Sequence, residues 1–549
     1  MISLGCAKNL VDSEIMLGAL LRDGIEITND PRQADAVIIN TCSFIESAQQ
    51  ESVDAILESA ALRDDHRQSQ SVIVAGCLPQ RFREDLLKLL PEVDGFMGID
   101  QLPQVSQIVR EAVQRRRDRL QTQRRPDNLP AAKTRRPAPV IARLAELAAA
   151  DTTPDSATRG SEPIARTAIA LPDPGSRTAP VVQINARPVY VPDYATPRFR
   201  LTPPHLAYLK IAEGCNHPCS FCAIPRIRGR HRSRALDDIL EEARQLLAEG
   251  VKEINLISQD TTFYGHDLPT DNRGAKERRP ASIGAPGAIE VEAPRICGLL
   301  RGLNALPGDF WIRLLYTHPA HWTDELIHTI ADCPKVARYI DIPLQHIHPL
   351  MLERMRRETS RAHIVTLLSR IRAGIPGVAL RTTFIVGFPG ETDACFNDLL
   401  EFIRETRFER MGVFTYSSEE GTRAAKMANQ VPELVKTRRR AQAMEAQRRI
   451  SREWGAAWVG RPLRVLVERA TDARQLPKAE LRSWEHGLVR GRARQSQKLA
   501  GRVCLGRSEA DAPDIDGRVY IRGQLPVGNF AVVRITGHSD YDLIGEAGV

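Results

Sequence analysis

Short apolar runs alternate with helix-like segments along most of the 549-residue chain. This pattern predicts α/β domains with parallel sheets, whose ligands gather at the carboxyl ends of the strands. In residues 1–115 three such runs each end in a cysteine, and we call Cys6, Cys42 and Cys77 the strand-end triad. The spacings of 36 and 35 residues are about one βα unit each, so we predict an N-terminal parallel α/β domain in which these cysteines converge. One such cysteine would be compatible with an ordinary core residue, but three at equivalent positions favour a metal site.

Residues 205–435 repeat the strand–helix alternation six times, which predicts a partial (β/α)6 barrel that is open on one side. Polar residues follow the strands: Gln259 and Asp260 come after the second, and the glycine-rich turn at Gly387 comes after the fifth. His346, after the fourth strand, is equally compatible with a core, an orienting or a catalytic role. The predicted strands are 207–211, 253–257, 311–315, 338–342, 380–386 and 411–414.

Beyond residue 460 the pattern changes to short β runs between glycine and proline turns. These runs predict a small five-stranded, OB-like β-barrel over residues 461–549. A basic insertion at about 471–500 interrupts this domain, and a helical connection over 436–460 precedes it. The predicted β runs are 463–467, 518–521 and 530–535.

Residues 116–204 mix basic pairs with Pro, Ala, Thr and Asp and have no sustained hydrophobic periodicity. Such a composition cannot bury enough apolar surface to offset the entropy of ordering. We therefore predict a basic linker here, disordered from 119 to 196, and a surface loop at the Gly/Pro-rich insertion 268–293. A basic tract can contact nucleic acid, but a solvated arm explains it equally well.

The composition narrows the class of protein. Hydrophobic residues make up 42% of the chain and no apolar run is long enough for a membrane span, so we expect a globular protein without a membrane segment. The amino terminus lacks a basic region followed by an apolar one, which argues against secretion and for the cytoplasm. Ten cysteines in motif-like clusters, without an export signal, predict ligands in a reducing compartment rather than disulfides.

The clearest chemical signal is the C-x3-C-x2-C spacing of Cys215, Cys219 and Cys222, which we call the loop triad. It directly follows the first predicted barrel strand, and Phe221 lies between its last two members. A closed zinc site or an ordinary ferredoxin cluster uses four protein ligands. Three thiolates on a cubane cluster leave one iron open for a substrate. Three structural or zinc-binding cysteines are the alternative.

The loop triad, with the basic loop after it, resembles the radical S-adenosylmethionine superfamily. Longer stretches resemble the methylthiotransferase family within it: LGCAKNLVDSE at 4–14, NTCSFI at 40–45 and EGCNH at 213–217. The most similar motifs are those of the branch that modifies an aspartate of ribosomal protein S-twelve, and the C-terminal part resembles its TRAM domain. The branch-like stretches are 257–261, 341–346, 381–391, 413–422 and 510–517.

The resemblance implies two [4Fe–4S] clusters and S-adenosylmethionine as cofactors. The loop triad would hold the cluster whose open iron binds S-adenosylmethionine, and the strand-end triad would hold an auxiliary cluster that carries sulfur. Phe221 would lie near the adenine, Gln259 and Asp260 would help to hold the methionine amino group, and Gly387 would lie near the adenosine. No catalytic residue beyond the cluster ligands is implied.

The implied reaction adds a methylthio group to the β-carbon of an aspartate. Polar catalysis cannot easily deprotonate that carbon beside a carboxylate, so radical chemistry from a cofactor is needed. A second S-adenosylmethionine would supply the methyl group. The implied partners are ribosomal protein S-twelve, within or near the small subunit, and an electron donor of the flavodoxin or ferredoxin type, and we expect a monomer.

Two other functions stay open: a tRNA adenosine methylthiotransferase, and a non-enzymatic iron–sulfur module that binds RNA. Within residues 502–549 acidic side chains outnumber basic ones seven to five, which suits a basic protein substrate better than RNA. The basic insertion beside them weakens that signal. The first strand begins at residue 1, whereas the family has several residues before it, which leaves the position of the start open.

Overall fold

The computed structural model describes residues 1–83, 85–123, 179–268, 295–474 and 501–548. Most of the predicted linker, nearly all of the predicted surface loop and most of the basic insertion lie outside the described residues. No helix within the described ranges is both long and apolar enough to cross a membrane.

The N-terminal domain is a sheet of five parallel strands that follow one another in chain order. Helices cover both faces of the sheet, and neighbouring residues of one strand therefore pack in different hydrophobic clusters. In β2, Ile38 packs on one side of the sheet, and Val37 and Ile39 pack on the other. The elements are β1 (Ile2–Ser3), α1 (Ala7–Arg22), β2 (Ala36–Thr41), α2 (Glu46–His66), β3 (Ser71–Gly76), α3 (Cys77–Phe82), α4 (Asp85–Leu89), β4 (Gly95–Met97), α5 (Val105–Gln123) and β5 (Val181–Gln183).

Two parts of the predicted linker belong to this domain instead. Helix α5 continues to residue 123, and β5 pairs with β4 at the sheet edge, where Val181 is 2% exposed. Arg115 of the helix donates to the carbonyl oxygens of Ala179 and Pro180 beside that strand. The predicted boundary at residue 115 thus falls inside helix α5, and residues 119–123 and 181–183 of the segment predicted to be disordered form helix and strand. A three-residue strand is too short to give a periodic hydrophobic signal, and the arginines at the end of α5 were interpreted as part of a solvent-exposed basic segment.

The central domain has six parallel strands in two three-stranded halves. A parallel bridge between Ile312 and Val336 joins the halves, so the predicted open barrel is confirmed. Each strand begins and ends within one residue of its predicted bounds. The elements are β6 (Leu206–Lys210), β7 (Ala212–Glu213), α6 (Ile224–Ile227), β8 (Arg232–Ser233), α7 (Leu236–Ala248), β9 (Glu253–Ile257), α8 (Ile296–Ala305), β10 (Trp311–Leu314), α9 (Asp324–Asp332), β11 (Tyr339–Asp341), α10 (Pro349–Arg354), α11 (Arg361–Gly374), β12 (Ala379–Val386), α12 (Asp393–Thr406) and β13 (Arg410–Thr415).

The C-terminal domain is a closed five-stranded barrel, as predicted. A long helix precedes it, as predicted. Two of the five strands, Arg502–Ser508 and Leu543–Ala547, were not among the predicted β runs. The elements are α13 (Glu433–Trp458), β14 (Pro462–Asp472), β15 (Arg502–Ser508), β16 (Val519–Arg522), β17 (Phe530–His538) and β18 (Leu543–Ala547).

This C-terminal barrel contacts the amino ends of the central strands. Glu253, Tyr339 and Arg410 are the first residues of β9, β11 and β13. The cysteines follow the carboxyl ends of strands, so the C-terminal barrel docks on the face opposite the loop triad. The contacts are Arg507 Nη2 to Glu253 Oε2 at 2.6 Å, Tyr339 Oη to Asp516 Oδ2 at 2.6 Å, and Arg410 Nη2 to Asp511 Oδ1 at 2.6 Å.

Part of the acidic excess of residues 502–549 is buried rather than exposed. Asp511 and Asp516 are 1% and 2% exposed and face the central domain. Asp540 pairs with Arg452 of α13 at 3.2 Å. Because these three acidic groups are paired within the protein, the charge count overstates the acidic surface that this domain offers to a substrate.

Candidate active site

The loop triad lies in a loop that a short antiparallel pair, β7 with β8, closes at its base. Gly214 begins the loop with a φ of +82°, and a Cβ placed there would lie 2.0 Å from the carbonyl oxygen of Arg230. The next residue, Cys215, donates its backbone N–H to the carbonyl of Gly229. Only glycine lets the two sides of the loop approach this closely.

The three cysteines of the loop triad are each partly buried. Burial, aided by the negative charge of Cys219, raises the pKa of the Cys215 thiol to about 12. Burial and the same neighbour also raise the pKa of Cys222. Arg357 Nη1 donates to the Cys219 sulfur at 3.5 Å. A metal deprotonates the thiols that bind it, and a cationic donor beside the sulfurs suits the resulting negative charge, so these residues fit a cluster.

The strand-end triad lies at one edge of the N-terminal sheet, after β1, β2 and β3. A Cβ added to Gly5 would lie 2.8 Å from Cys42 Cβ, which places the first two strand ends side by side. Burial raises the pKa of Cys77, and the negative charge of Cys6 contributes in the same direction. The three cysteines are therefore neighbours although they are far apart in the sequence. Their role as metal ligands stays a prediction.

Asp260 has little capacity left for a ligand. Its Oδ1 accepts from the backbone N–H and the hydroxyl of Thr262, at 3.0 and 2.6 Å. Its Oδ2 lies 2.8 Å from His217 Nε2 and 2.9 Å from His321 Nδ1. Burial alone would raise the pKa of Asp260, but the hydrogen bonds from the two histidines lower it, so the group is a carboxylate. Asp260 thus orients the loop through His217.

Gln259, unlike Asp260, has a side-chain oxygen that is available to accept a hydrogen bond from a ligand. Its Nε2 donates to Glu213 Oε2 at 3.2 Å, whereas its Oε1 is buried and has no hydrogen-bond partner within the described residues. A buried acceptor without a partner is costly unless a ligand satisfies it. An ammonium group is a donor of the right kind, so of the two predicted residues Gln259 is the better one for the methionine amino group.

Phe221 and Gly387 both lie beside an apolar cluster near the loop triad. The half-buried Phe221 packs against this cluster, whose members include Phe388 and Tyr416. Gly387 has a φ of +74°, and a Cβ there would lie 2.2 Å from Cγ of Lys436. The described contact that requires glycine is thus the Lys436 side chain. Proximity of either residue to an adenosine stays a prediction.

His346 is fully buried and serves the local backbone. Its Nδ1 accepts from the N–H groups of Ile347 and His348, and its Nε2 lies 3.2 Å from Glu391 Oε1. Of the roles left open by the sequence, this geometry supports an orienting one. The four cysteines outside the triads, Cys297, Cys333, Cys395 and Cys504, are all buried.

Sequence reasoning missed a group of histidines beside the loop triad. The rings of His217 and His318 stack with centroids 3.6 Å apart, and His321 stacks on His217 at 5.0 Å. His318 Nε2 is buried without a hydrogen-bond partner among the described residues. The available signal was the Thr-His-Pro sequence at 317–319, which follows the third barrel strand as Gln259 follows the second.

Comparison with known proteins agrees with this architecture. The sequence matches the Radical SAM superfamily over residues 209–403, the uncharacterized protein family UPF0004 over 1–98 and the TRAM domain over 497–547. The central barrel with its loop triad and these matches indicate a member of the radical S-adenosylmethionine superfamily.

Two curated relatives define the family more closely. The "Ribosomal protein uS12 methylthiotransferase RimO" of Opitutus terrae is 49% identical over 547 residues, which is 99% of this chain and 95% of the relative. The protein of the same name from Akkermansia muciniphila is 44% identical over 100% of this chain and 99% of its own length. The chain belongs to this RimO family of methylthiotransferases.

One similar solved structure is that of the radical S-adenosylmethionine methyltransferase TsrM of Kitasatospora setae, with a tryptophan substrate and an analogue of S-adenosylmethionine bound. It aligns with this chain with a TM-score of 0.43 at 15% identity. The alignment covers 74% of this chain and 70% of that one.

Proposed function

We propose that this protein attaches a methylthio group to the β-carbon of an aspartate in ribosomal protein uS12, with two [4Fe–4S] clusters and S-adenosylmethionine. The observation that carries the proposal is the presence of two separate sets of three cysteines, one in the barrel loop and one at the edge of the neighbouring sheet. Each set leaves one iron of a cubane cluster without a protein ligand. One open iron suits S-adenosylmethionine, and the other suits a sulfur atom.

The residues around the loop triad are suited to hold the first cluster and S-adenosylmethionine. With a second cluster on the strand-end triad, these groups would supply the one-electron, sulfur and methyl chemistry that an unactivated carbon requires. Cys215, Cys219 and Cys222 hold the first cluster, and Arg357 donates to one of its sulfur ligands. Gln259 Oε1, which is buried without a partner among the described residues, would accept from the methionine amino group. Asp260 fixes His217, and with it the loop between the first two ligands.

The substrate assignment rests on the family. The relatives' name states that they act on uS12, which is ribosomal protein S-twelve, and the similarity extends over the full chain. We propose that the protein acts as a monomer in the cytoplasm, with a flavodoxin- or ferredoxin-type electron donor. Nothing in the described residues favours tRNA as the substrate.

A direct competition between substrates tests the proposal. Anaerobically reconstituted, dithionite-reduced protein would be offered uS12, free or in small ribosomal subunits, together with isopentenylated tRNA. Mass spectrometry should find a methylthio adduct on an aspartate of uS12. The matched control replaces Cys6, Cys42 and Cys77 with Ala, and it should cleave S-adenosylmethionine without modifying uS12. Modification of the tRNA alone would overturn the substrate assignment.

A further inference from the structure

Arg228 belongs to the central domain but reaches a cysteine of the N-terminal domain. It follows α6 directly and is 2% exposed. Its Nη2 lies 3.6 Å from the Cys77 sulfur, 2.6 Å from Asn9 Oδ1 and 2.9 Å from Asp12 Oδ2. Its Nη1 donates to Glu213 Oε1 at 3.0 Å. One guanidinium group therefore contacts a member of the strand-end triad and the residue two positions before the loop triad.

The charges around Arg228 are nearly balanced before any cluster is bound. Lys210 Nζ lies 2.5 Å from both Asp12 Oδ1 and Glu213 Oε1, so two cations face two carboxylates in a buried network. All four side chains are at most 5% exposed. A cluster ligated by thiolates adds negative charge at the edge of this network. Arg228 is the cationic donor that lies beside a sulfur there.

The reduction potential of an iron–sulfur cluster depends on net charge, on hydrogen bonds to its sulfurs and on solvent exposure. Reduction adds one negative charge, which a neighbouring cation stabilises and a neighbouring carboxylate destabilises. In a buried site both effects are stronger than in water. Arg228 and Asp12 should therefore shift the potential of a cluster on the strand-end triad in opposite directions.

We propose that Arg228 is a positioning residue for the auxiliary cluster, through which the central domain donates a hydrogen bond to the Cys77 sulfur and stabilises the reduced cluster. The proposal rests on the proposed function, because it requires a cluster on the strand-end triad. It assigns to a residue of the barrel domain the control of a redox group in the neighbouring domain.

A potentiometric titration tests this role in the full chain. Cys215, Cys219 and Cys222 are replaced with Ala so that only the cluster of the strand-end triad remains, and its reduction is followed by electron paramagnetic resonance. Arg228→Gln should lower the midpoint potential, and Asp12→Asn should raise it. The matched control is Arg230→Gln, which removes the same charge from an exposed position in the same loop and should leave the potential unchanged.

A purely structural role predicts a different result. General loosening of the interface would move the potentials of Arg228→Gln and Asp12→Asn in the same direction, or would move neither, and either result overturns the proposal. If Arg228→Gln does not fold, Arg228→Lys and Asp12→Asn carry the test, because the lysine keeps the charge and should keep most of the potential. Absence of iron in the parent triple variant would instead overturn the proposed function, so the two failures are distinguishable.

Discussion

The loop triad comes from one stretch of chain between β7 and β8, whereas the strand-end triad comes from the ends of three strands between residues 6 and 77. The loop is held by its own backbone, through Gly214 against Arg230 and Cys215 against Gly229. The strand-end triad is instead held by side chains of the helices beside the sheet: Ser52 of α2 bonds to the backbone of Cys42, and Asn9 of α1 donates to the carbonyl oxygen of Thr41. Its three cysteines meet only when the sheet has formed, and Arg228 of the central domain lies beside one of them.

Because of this difference, we expect the two cysteine sites to be lost through different structural changes. Damage to the loop backbone should remove one site and leave the other, because the sheet does not depend on the loop. Damage to the contact between the two domains should affect the strand-end triad first, because Asp12 and Asn9 of α1 hold Arg228 there. Loss of the loop site should therefore indicate damage to the loop backbone, and loss of the strand-end site should indicate damage to the sheet or to the contact between the domains.

The largest expected effect comes from removing each triad completely. Replacement of Cys215, Cys219 and Cys222 with Ala should remove about half of the eight irons expected for two cubane clusters and abolish cleavage of S-adenosylmethionine. The same change at Cys6, Cys42 and Cys77 should remove the other half and leave cleavage partly intact. Iron analysis and deoxyadenosine assays measure both results. Unchanged iron content in either variant would contradict the assignment of that triad.

Single glycine substitutions sharpen the comparison. Gly214→Ala places a Cβ 2.0 Å from a backbone oxygen, and Gly5→Ala places one 2.8 Å from Cys42 Cβ, both at positive φ. We expect the first to lower S-adenosylmethionine cleavage at least about tenfold and the second to spare it, each with loss of iron from its own site.

The matched control for these variants is Gly250→Ala. Gly250 has a φ of +94° but nothing within 4 Å of an added Cβ, so this substitution introduces backbone strain without a clash. It should retain both the iron and the cleavage activity. Equal loss of activity in all three variants would mean that strain, rather than the close approach at each triad, explains the effect.

The fold was predictable where a pattern repeats along the chain. The six barrel strands have buried apolar runs, for example Glu253–Ile257, and these were located to within one residue. The neighbouring positions of Cys6, Cys42 and Cys77 followed from the rule that parallel strands end at one edge. Such features depend on local sequence and on topology, both of which a sequence displays.

The features that sequence reasoning missed depend on contacts between distant residues. Asp260 was predicted to hold a ligand, but His217 and His321 already occupy its Oδ2, and no spacing along the chain indicates that. The acidic count of the C-terminal domain suggested an acidic surface, yet Asp511 and Asp516 are buried against the central domain. A charge count cannot distinguish a solvated carboxylate from a paired one.

The contact between the domains gives the next largest effect. Glu14 of α1 is fully buried, and its Oε2 lies 2.6 Å from Arg198 Nη2. The other terminal nitrogen of Arg198, Nη1, lies 2.8 Å from Glu242 Oε1 of α7. Glu14→Gln removes one partner of a buried ion pair, which should lower the free energy of unfolding by about 3 kcal/mol. Urea unfolding with parallel iron analysis should detect release from the strand-end triad before the loop triad.

The control for this prediction is Glu249→Gln. Glu249 is 56% exposed and pairs with Arg200 at 3.0 Å, so its loss should change the free energy of unfolding by no more than about 1 kcal/mol. Simultaneous release of iron from both triads in Glu14→Gln would show that the two sites fail together. That result would remove the distinction between local and global support.

The smallest expected effect concerns the C-terminal barrel, which docks at the amino ends of the central strands. Tyr339 is fully buried and donates its hydroxyl to Asp516 Oδ2 at 2.6 Å. Tyr339→Phe should lower the free energy of unfolding by about 1.5–3 kcal/mol, because the hydrogen bond is to a charged group. We expect the lower end of this range, because Asp516 Oδ2 still accepts a hydrogen bond from the backbone N–H of Ala512 at 3.0 Å.

Exposed Tyr194 provides the control, and Tyr194→Phe should leave stability unchanged. The loop triad lies at the opposite ends of the central strands, so its iron content should stay at the level of the parent protein. Iron loss in Tyr339→Phe alone would mean that docking of the C-terminal barrel supports a cysteine site across the whole length of the central strands.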